Sequence, residues 1–237
     1  MTDFRFSSPF QFPPVVKNLM IINVLMFLAQ NIVGQREEGL VENWFALHDL
    51  HSEFFKPHQL ITHMFLHGSF AHLFFNMFGL WMFGVAIEHR YGAKRFLQFY
   101  IISGLGAAFL HMGVLYFEIE PMMKIYRALP EDQQIELMNT PAFFYKLNAA
   151  TLGASGAVFG CLAAFGYLYP NSIIMINFLL PMKAKWLVLI YAGMELLLAF
   201  RNSAGDTVAH FAHLGGALTG FLLVYFWNKR NRRTFYR

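Results

Sequence analysis

Long apolar stretches, separated by shorter polar segments, are the main pattern of the chain. A transmembrane helix needs about 20 predominantly apolar residues. Six stretches approach this length: residues 19–34, 70–87, 96–117, 149–168, 186–200 and 208–227. A seventh run, residues 173–180, is too short to cross a bilayer and ends before Pro181, so we expect it to dip into the membrane or lie along its surface. The pattern predicts an all-α polytopic membrane protein with six transmembrane helices.

The composition supports a membrane protein and gives no sign of a second domain. Of the 237 residues, 57% are hydrophobic and 14% are charged, whereas about 25% of the residues in a soluble domain are charged. We expect a short N-terminal segment (residues 1–18), one membrane domain (19–228) and a basic tail (229–237). Long outer loops are predicted at residues 35–69 and 118–148. The first stretch is expected to be a retained span, since no small-residue cleavage site follows it.

The distribution of basic residues predicts the orientation in the membrane. Six spans place both termini on one side, and that side carries twelve of the 18 Lys and Arg residues. Because basic loops stay in the cytoplasm, we expect cytoplasmic termini in a cell membrane of the bacterial inner-membrane type. A basic tail after the last span suits anionic lipid, so no nucleic-acid partner is expected.

Four polar residues, His72, Asn76, Ser155 and His213, lie in the first two turns of the second, fourth and sixth spans. These three spans enter the membrane from the same side. At 1.5 Å per helical residue, the four side chains lie roughly 5 to 10 Å below the outer surface. Polar groups at this depth are costly and by default mark a functional site.

The residue types at this depth predict acyl-transfer chemistry. A serine hydroxyl becomes a good nucleophile when an imidazole accepts its proton, as His213 could do for Ser155. His72 and Asn76 are spaced i, i+4, so both lie on one helix face and both can donate hydrogen bonds to a developing oxyanion. The sequence therefore predicts a catalytic Ser155–His213 pair with His72 and Asn76 as oxyanion-stabilising donors.

Glycine spacing predicts that the fourth and sixth spans touch. Gly156 and Gly160 form one small-xxx-small pair, and Gly216 and Gly220 form another. Such pairs let two helix backbones approach closely in a membrane.

Metal ligation is the rival interpretation of the histidines. His63 and His67 are spaced i, i+4, and His210 and His213 are spaced i, i+3. The chain has no His-Glu-x-x-His motif, and no carboxylate lies near these positions in their own spans. We therefore predict no metal and no cofactor, and expect His63 and His67 to brace the loop that enters the second span.

Three motifs, in this order and topology, resemble the rhomboid family of intramembrane serine proteases over residues 62–220. They are Thr62-His63 with His67 and His72-x-x-x-Asn76, then Gly153-Ala154-Ser155-Gly156, and then Ala212-His213 with Gly216 and Gly220. The resemblance implies a Ser–His dyad without an aspartate. It also implies an oxyanion hole built from the Ser155 backbone amide, His72 and Asn76, and cleavage of transmembrane substrate helices near their outer ends through an acyl-enzyme.

Two positions depart from the pattern of many members. Phe159 stands where tyrosine is common, and we expect its ring to pack on His213 and the rate to change rather than vanish. His58-Gln59 stands where Trp-Arg is common, which affects the expected lipid anchoring of the first loop. Glu195, in the fifth span, is expected either to reach outward or to form a hydrogen bond near the substrate entrance, whereas Glu88 should tie helices together at the inner end.

Two other classes of protein are weaker interpretations. A rhomboid-like pseudoprotease would bind transmembrane helices without cutting them, but it should lack the serine or the histidine, and both are present. A transporter or channel needs polar residues through the whole bilayer, whereas the polar residues here cluster in its outer half.

Overall fold

The computed structural model describes residues 12–34, 39–176, 180–201 and 209–235, with side chains through residue 229. Its described part contains eleven α-helices and a two-stranded sheet. The helices are α1 (Pro14–Gly34), α2 (Leu40–Phe45), α3 (Gln59–Thr62), α4 (Phe70–Gly79), α5 (Val85–Tyr91), α6 (Ala93–Ala128), α7 (Glu131–Met138), α8 (Pro141–Leu147), α9 (Ser155–Leu168), α10 (Ala184–Arg201) and α11 (His210–Phe235), and the strands are β1 (Ile173–Ile176) and β2 (Leu180–Lys183).

Each of the six predicted spans corresponds to a helix, with α4 and α5 joined through a π-helical segment, Leu80–Gly84, into one continuous helix. Among the described residues, α1, the α4–α5 helix and α6 are long and apolar enough to cross a membrane, and α9 is a shorter apolar helix. The fold is therefore the predicted all-α polytopic bundle.

Several helices begin or end away from the boundaries of the predicted apolar spans. Helix α6 has 36 residues and continues past the predicted end at residue 117 to Ala128. It rises about 54 Å, well beyond the hydrocarbon thickness of about 30 Å. The fourth span was expected to begin at residue 149, but α9 begins at Ser155, because Gly153 has a φ of 130° that a right-handed helix does not allow.

Helix α9 lies at the centre of the bundle and packs against α4, α6, α10 and α11. Buried residues occur all around it, which is the pattern of a helix enclosed by protein. Its glycines meet those of α11 as predicted. A Cβ on Gly216 would overlap the carbonyl oxygen of Gly156, and one on Gly220 would lie 2.6 Å from Cα of Gly160.

The end of the bundle that carries residues 39–69 and 129–154, here called the loop end, is held together by buried polar side chains. Gln59 is fully buried, and its Oε1 accepts hydrogen bonds from the backbone N–H groups of His48 and Lys56. Its Nε2 donates to the carbonyls of Asn43 and Phe54. The Gln59 that departs from the family pattern is thus an internal support of this loop.

The short apolar run at residues 173–180 lies in a two-stranded hairpin. Strands β1 and β2 pair antiparallel, with Ile173 opposite Lys183 and Ile176 opposite Leu180. Ile173 and Leu180 are more than 60% exposed, which suits a hairpin in contact with lipid. Residues 177–179 of the predicted run lie outside the described residues.

At the opposite end of the bundle, Glu88 ties two helices together, as predicted. Its carboxylate oxygens accept hydrogen bonds from the backbone N–H groups of Val15 and Val16 at 3.0 and 2.8 Å. These N–H groups belong to the first turn of α1, where backbone N–H groups have no acceptor within the helix. The negative charge also suits the positive end of the helix dipole.

Candidate active site

The structure brings Ser155 and His213 together. Ser155 is the first residue of α9 and His213 lies in the first turn of α11. Nε2 of His213 is 2.8 Å from Oγ of Ser155, which is hydrogen-bond distance. The glycine contacts between the two helices explain how a serine and a histidine 58 residues apart can meet.

The segment that leads into Ser155 is fixed by residues far away in the sequence. The backbone N–H of Gly153 donates to the carbonyl of His63 at 2.9 Å. Thr151 and Leu47 exchange two backbone hydrogen bonds of 2.8 Å. His111, from α6, makes a 2.7 Å hydrogen bond with Oγ1 of Thr151. The role of His111 could not be predicted from the sequence, because this residue belongs to none of the motifs.

A cavity of about 900 Å³ contains all four predicted site residues, His72, Asn76, Ser155 and His213, in its lining. Much of the remaining wall is apolar, with Phe75 and Phe78 from α4 and Leu187 and Tyr191 from α10 among the lining residues. The four polar groups therefore share one apolar cavity.

His72 and Asn76 occupy neighbouring turns of α4. Ser69 caps this helix, its Oγ accepting from the backbone N–H of His72 at 3.1 Å. A Cβ on Gly153 would lie 2.8 Å from Nε2 of His72 and 3.6 Å from Oγ of Ser155, so His72 faces the serine. Asn76 is buried, and its Nδ2 donates to the carbonyl of His72 at 3.0 Å. Their oxyanion role remains a prediction.

Phe159 packs on the imidazole of His213, as expected from its place one turn after Ser155. The ring centroids are 4.2 Å apart and the planes differ by 5°. This stacking restricts rotation of the imidazole and keeps its Nε2 directed at the serine.

Glu195, whose role the sequence left open, also lies beside the serine–histidine pair. From α10, its Oε2 lies 3.0 Å from Nδ1 of His213, at ion-pair distance but without hydrogen-bond alignment. The same oxygen makes a 2.7 Å hydrogen bond with Nδ1 of His210. The expectation that no carboxylate lies near these histidines holds only within their own spans, because a neighbouring helix supplies one. An acidic residue in an apolar span was the available signal.

The residues that could bind a metal in the structure differ from the histidine pairs considered in the sequence. Among the described residues, Glu195, His210 and His213 form the only group of potential ligands with all ligand atoms within 4.8 Å of one another. In the part of the chain that the structure describes, His63 and His67 belong to no such group of three or more ligands. The expected absence of a metal stays a prediction.

His63 and His67 support the loop end instead. Nδ1 of His63 bonds to the carbonyl of Gln59 at 2.7 Å, and the backbone N–H of His67 donates to Oε1 of Gln30 at 3.0 Å. Burial lowers the pKa of His63 to about 4 and, with the nearby His72, that of His67 to about 3. Both imidazoles are therefore neutral at physiological pH.

Fold and site together define a helical membrane protein with a serine–histidine pair in a largely apolar cavity. The Rhomboid domain model matches residues 55–230. The chain therefore belongs to the rhomboid family, and the resemblance stated from the motifs is confirmed.

Several curated relatives are similar over most of the chain. RHOMBOID-like protein 12, mitochondrial, from Arabidopsis thaliana is 28% identical over 204 residues, covering 86% of this chain and 55% of that protein. Rhomboid protease GlpG from Yersinia enterocolitica is 25% identical over 225 residues, covering 92% of this chain and 64% of that protein. Rhomboid protease GluP from Bacillus subtilis is 28% identical over 163 residues, covering 69% of this chain and 24% of that protein. The chain thus spans between 24% and 64% of the length of these three relatives.

Proposed function

We propose that the protein is an intramembrane serine endopeptidase that hydrolyses peptide bonds of transmembrane substrate helices near their outer ends. The observation that carries the proposal is the 2.8 Å contact between Nε2 of His213 and Oγ of Ser155 in an apolar cavity. Membership of a family whose relatives include proteins named as proteases adds support.

The mechanism uses His213 first as a base and then as an acid. Nε2 of His213 takes the hydroxyl proton of Ser155 while Oγ attacks the carbonyl carbon of the scissile bond. When the tetrahedral intermediate collapses, the C–N bond breaks and His213 returns the proton to the leaving amine. A water molecule then attacks the ester of the acyl-enzyme while His213 takes its proton. The bond between Oγ and the acyl carbon breaks, and His213 returns the proton to Oγ of Ser155. No cofactor takes part in this scheme.

The oxyanion of the intermediate is assigned to three donors, the backbone N–H of Ser155 and the side chains of His72 and Asn76. His72 faces the serine across Gly153. The N–H of Ser155 lies at the beginning of α9, where backbone donors have no intrahelical acceptor. Donors aimed at a developing charge in a dry site accelerate acyl transfer strongly.

Replacing Asn76 by alanine is expected to lower kcat by about 10- to 100-fold with little change in KM, because the oxyanion forms only in the transition state. Steady-state kinetics with a reconstituted substrate measure the split. An increase in KM at unchanged kcat would assign Asn76 to substrate binding and not to the oxyanion.

The proposed substrates are single-span or multi-span membrane proteins whose helices carry small or helix-weakening residues near the outer interface. An intact helix keeps its carbonyls hydrogen-bonded and hidden from Ser155. The apolar walls from α4 and α10 suit a segment that arrives from lipid.

The proposed setting is a cell membrane of the bacterial inner-membrane type, crossed several times, with both termini in the cytoplasm. The proposed organisation keeps residues 19–228 as the membrane domain, between a short segment (1–18) and a basic tail (229–237). This orientation is supported by the Lys and Arg residues, because twelve of the 18 fall on the side of the termini.

Reconstitution of the purified protein with a labelled single-span substrate tests the function. The parent should cleave the substrate and react with a fluorophosphonate at Ser155, whereas Ser155→Ala should do neither. Binding of the substrate without cleavage by the parent would instead identify a pseudoprotease. Equal cleavage by Ser155→Ala and the parent would remove Ser155 from the mechanism.

A further inference from the structure

Glu195 contacts the side of His213 that faces away from Ser155. Its Oε2 is 3.0 Å from Nδ1 of the imidazole, while Nε2 on the other side of the ring is 2.8 Å from the serine hydroxyl. Resting on the proposed function, we infer that Glu195 is a positioning residue that fixes the tautomer and orientation of His213. The site is then a series of three side chains, Ser155, His213 and Glu195, instead of a dyad.

His213 can act as a base toward Ser155 in only one tautomer. To accept the serine proton at Nε2, a neutral imidazole must hold its own hydrogen on Nδ1. Nδ1 of His213 is buried, and within the described part of the chain it makes no aligned hydrogen bond. Oε2 of Glu195, at 3.0 Å, is an acceptor within reach of that hydrogen.

His210 holds the carboxylate in place. Its Nδ1–H donates to Oε2 of Glu195 at 2.7 Å. His210 and His213 lie on adjacent positions of one face of α11, and Glu195 comes from α10. The carboxylate therefore bridges two histidines of one helix and fixes that helix against its neighbour.

The contact between Glu195 and His213 favours the reaction because both side chains are buried and because His213 becomes positively charged. Glu195 and His213 are each 9% exposed. An ionised carboxylate removed from water needs compensating partners. His213 gains a positive charge when it takes the proton of Ser155, so its attraction to Glu195 is stronger in the transition state than before it. An interaction that strengthens in this way raises kcat.

A bound metal ion is the competing explanation for this cluster. Two ligand atoms on a tetrahedral zinc ion, each about 2.0–2.1 Å from it, are separated by about 3.3 Å. The oxygen–nitrogen distances of 2.7 and 3.0 Å are shorter and match direct hydrogen-bond or ion-pair contacts. The geometry favours a proton between these atoms.

The test compares Glu195→Gln and Glu195→Asp with the parent in proteoliposomes, using full fluorophosphonate labelling to count active sites. Glu195→Gln keeps the size of the side chain but removes its charge, so kcat per labelled site should fall about 10- to 100-fold with KM within about twofold. Glu195→Asp keeps the charge and should recover part of kcat. The matched control is Glu88→Gln, a buried glutamate at the opposite end, which should lower thermal stability and leave kcat per labelled site unchanged.

Each outcome decides between the explanations. Equal kcat for Glu195→Gln and the parent would overturn the inference, as would equal losses in the Gln and Asp variants accompanied by a higher KM. Loss of parent activity with 1,10-phenanthroline, restored by Zn²⁺, would assign the cluster to a metal. A parent that is neither labelled nor active would refute the proposed function itself, and the role of Glu195 with it.

Discussion

Removing Ser155 and His213 together is expected to cost no more activity than removing either one alone. Each single alanine variant should lower kcat by about 10⁴-fold or more, because the nucleophile and its base act as one unit. The measurement is single-turnover cleavage of a labelled transmembrane substrate by the parent, the two single variants and the double variant, at equal amounts of folded protein.

The matched control is the double variant Ser172→Ala/His89→Ala. Both residues are exposed and lie at the end of the bundle opposite Ser155. This control should keep the parent rate. Losses from Ser155→Ala and His213→Ala that add in the double variant would show that the two residues act independently, and the proposed mechanism would fail.

The second large effect is expected from Gly216→Ala. In an ordinary helix alanine is favoured over glycine by about 1 kcal/mol. Here the added Cβ would overlap the carbonyl oxygen of Gly156, and backbone cannot move aside as a flexible side chain can. We expect the free energy of unfolding to fall by about 3 kcal/mol or more, at the upper end of the effects of overpacking. The measurement is the thermal unfolding temperature in detergent, which should decrease strongly.

Gly113→Ala provides the control for this substitution. Gly113 lies in α6, and a Cβ at that position meets no atom within 4 Å. The Gly113→Ala variant should be as stable as the parent or slightly more stable. If Gly216→Ala were equally harmless, α9 and α11 would not be in the close contact described, and the 2.8 Å Ser155–His213 distance would lose its structural basis.

The arrangement of Ser155 and His213 was predictable because two independent constraints agree. Polar residues in apolar spans are costly, so their depth is informative. The glycine pairs on the same two spans indicated which helices touch. Both signals are local in sequence and require no knowledge of the loops.

The boundaries of α9 and the role of Glu195 depend on tertiary contacts and could not be predicted in this way. The non-helical segment before Ser155 is held by Leu47, His63 and His111, which come from distant parts of the chain. Similarly, the sequence showed a carboxylate in the fifth span, but only the packing of α10 on α11 decides that it faces His213.

The shortness of α9 has a consequence for the supply of water. Its 14 residues rise about 21 Å, about 9 Å less than a bilayer's hydrocarbon thickness. The missing length is filled by the irregular segment before Ser155, which is anchored in the loop end. In the proposed mechanism each cleavage consumes one water molecule. Because Ser155 lies at the end of this short helix, next to the loop end, we expect that water to reach the ester from the loop end and not through lipid chains.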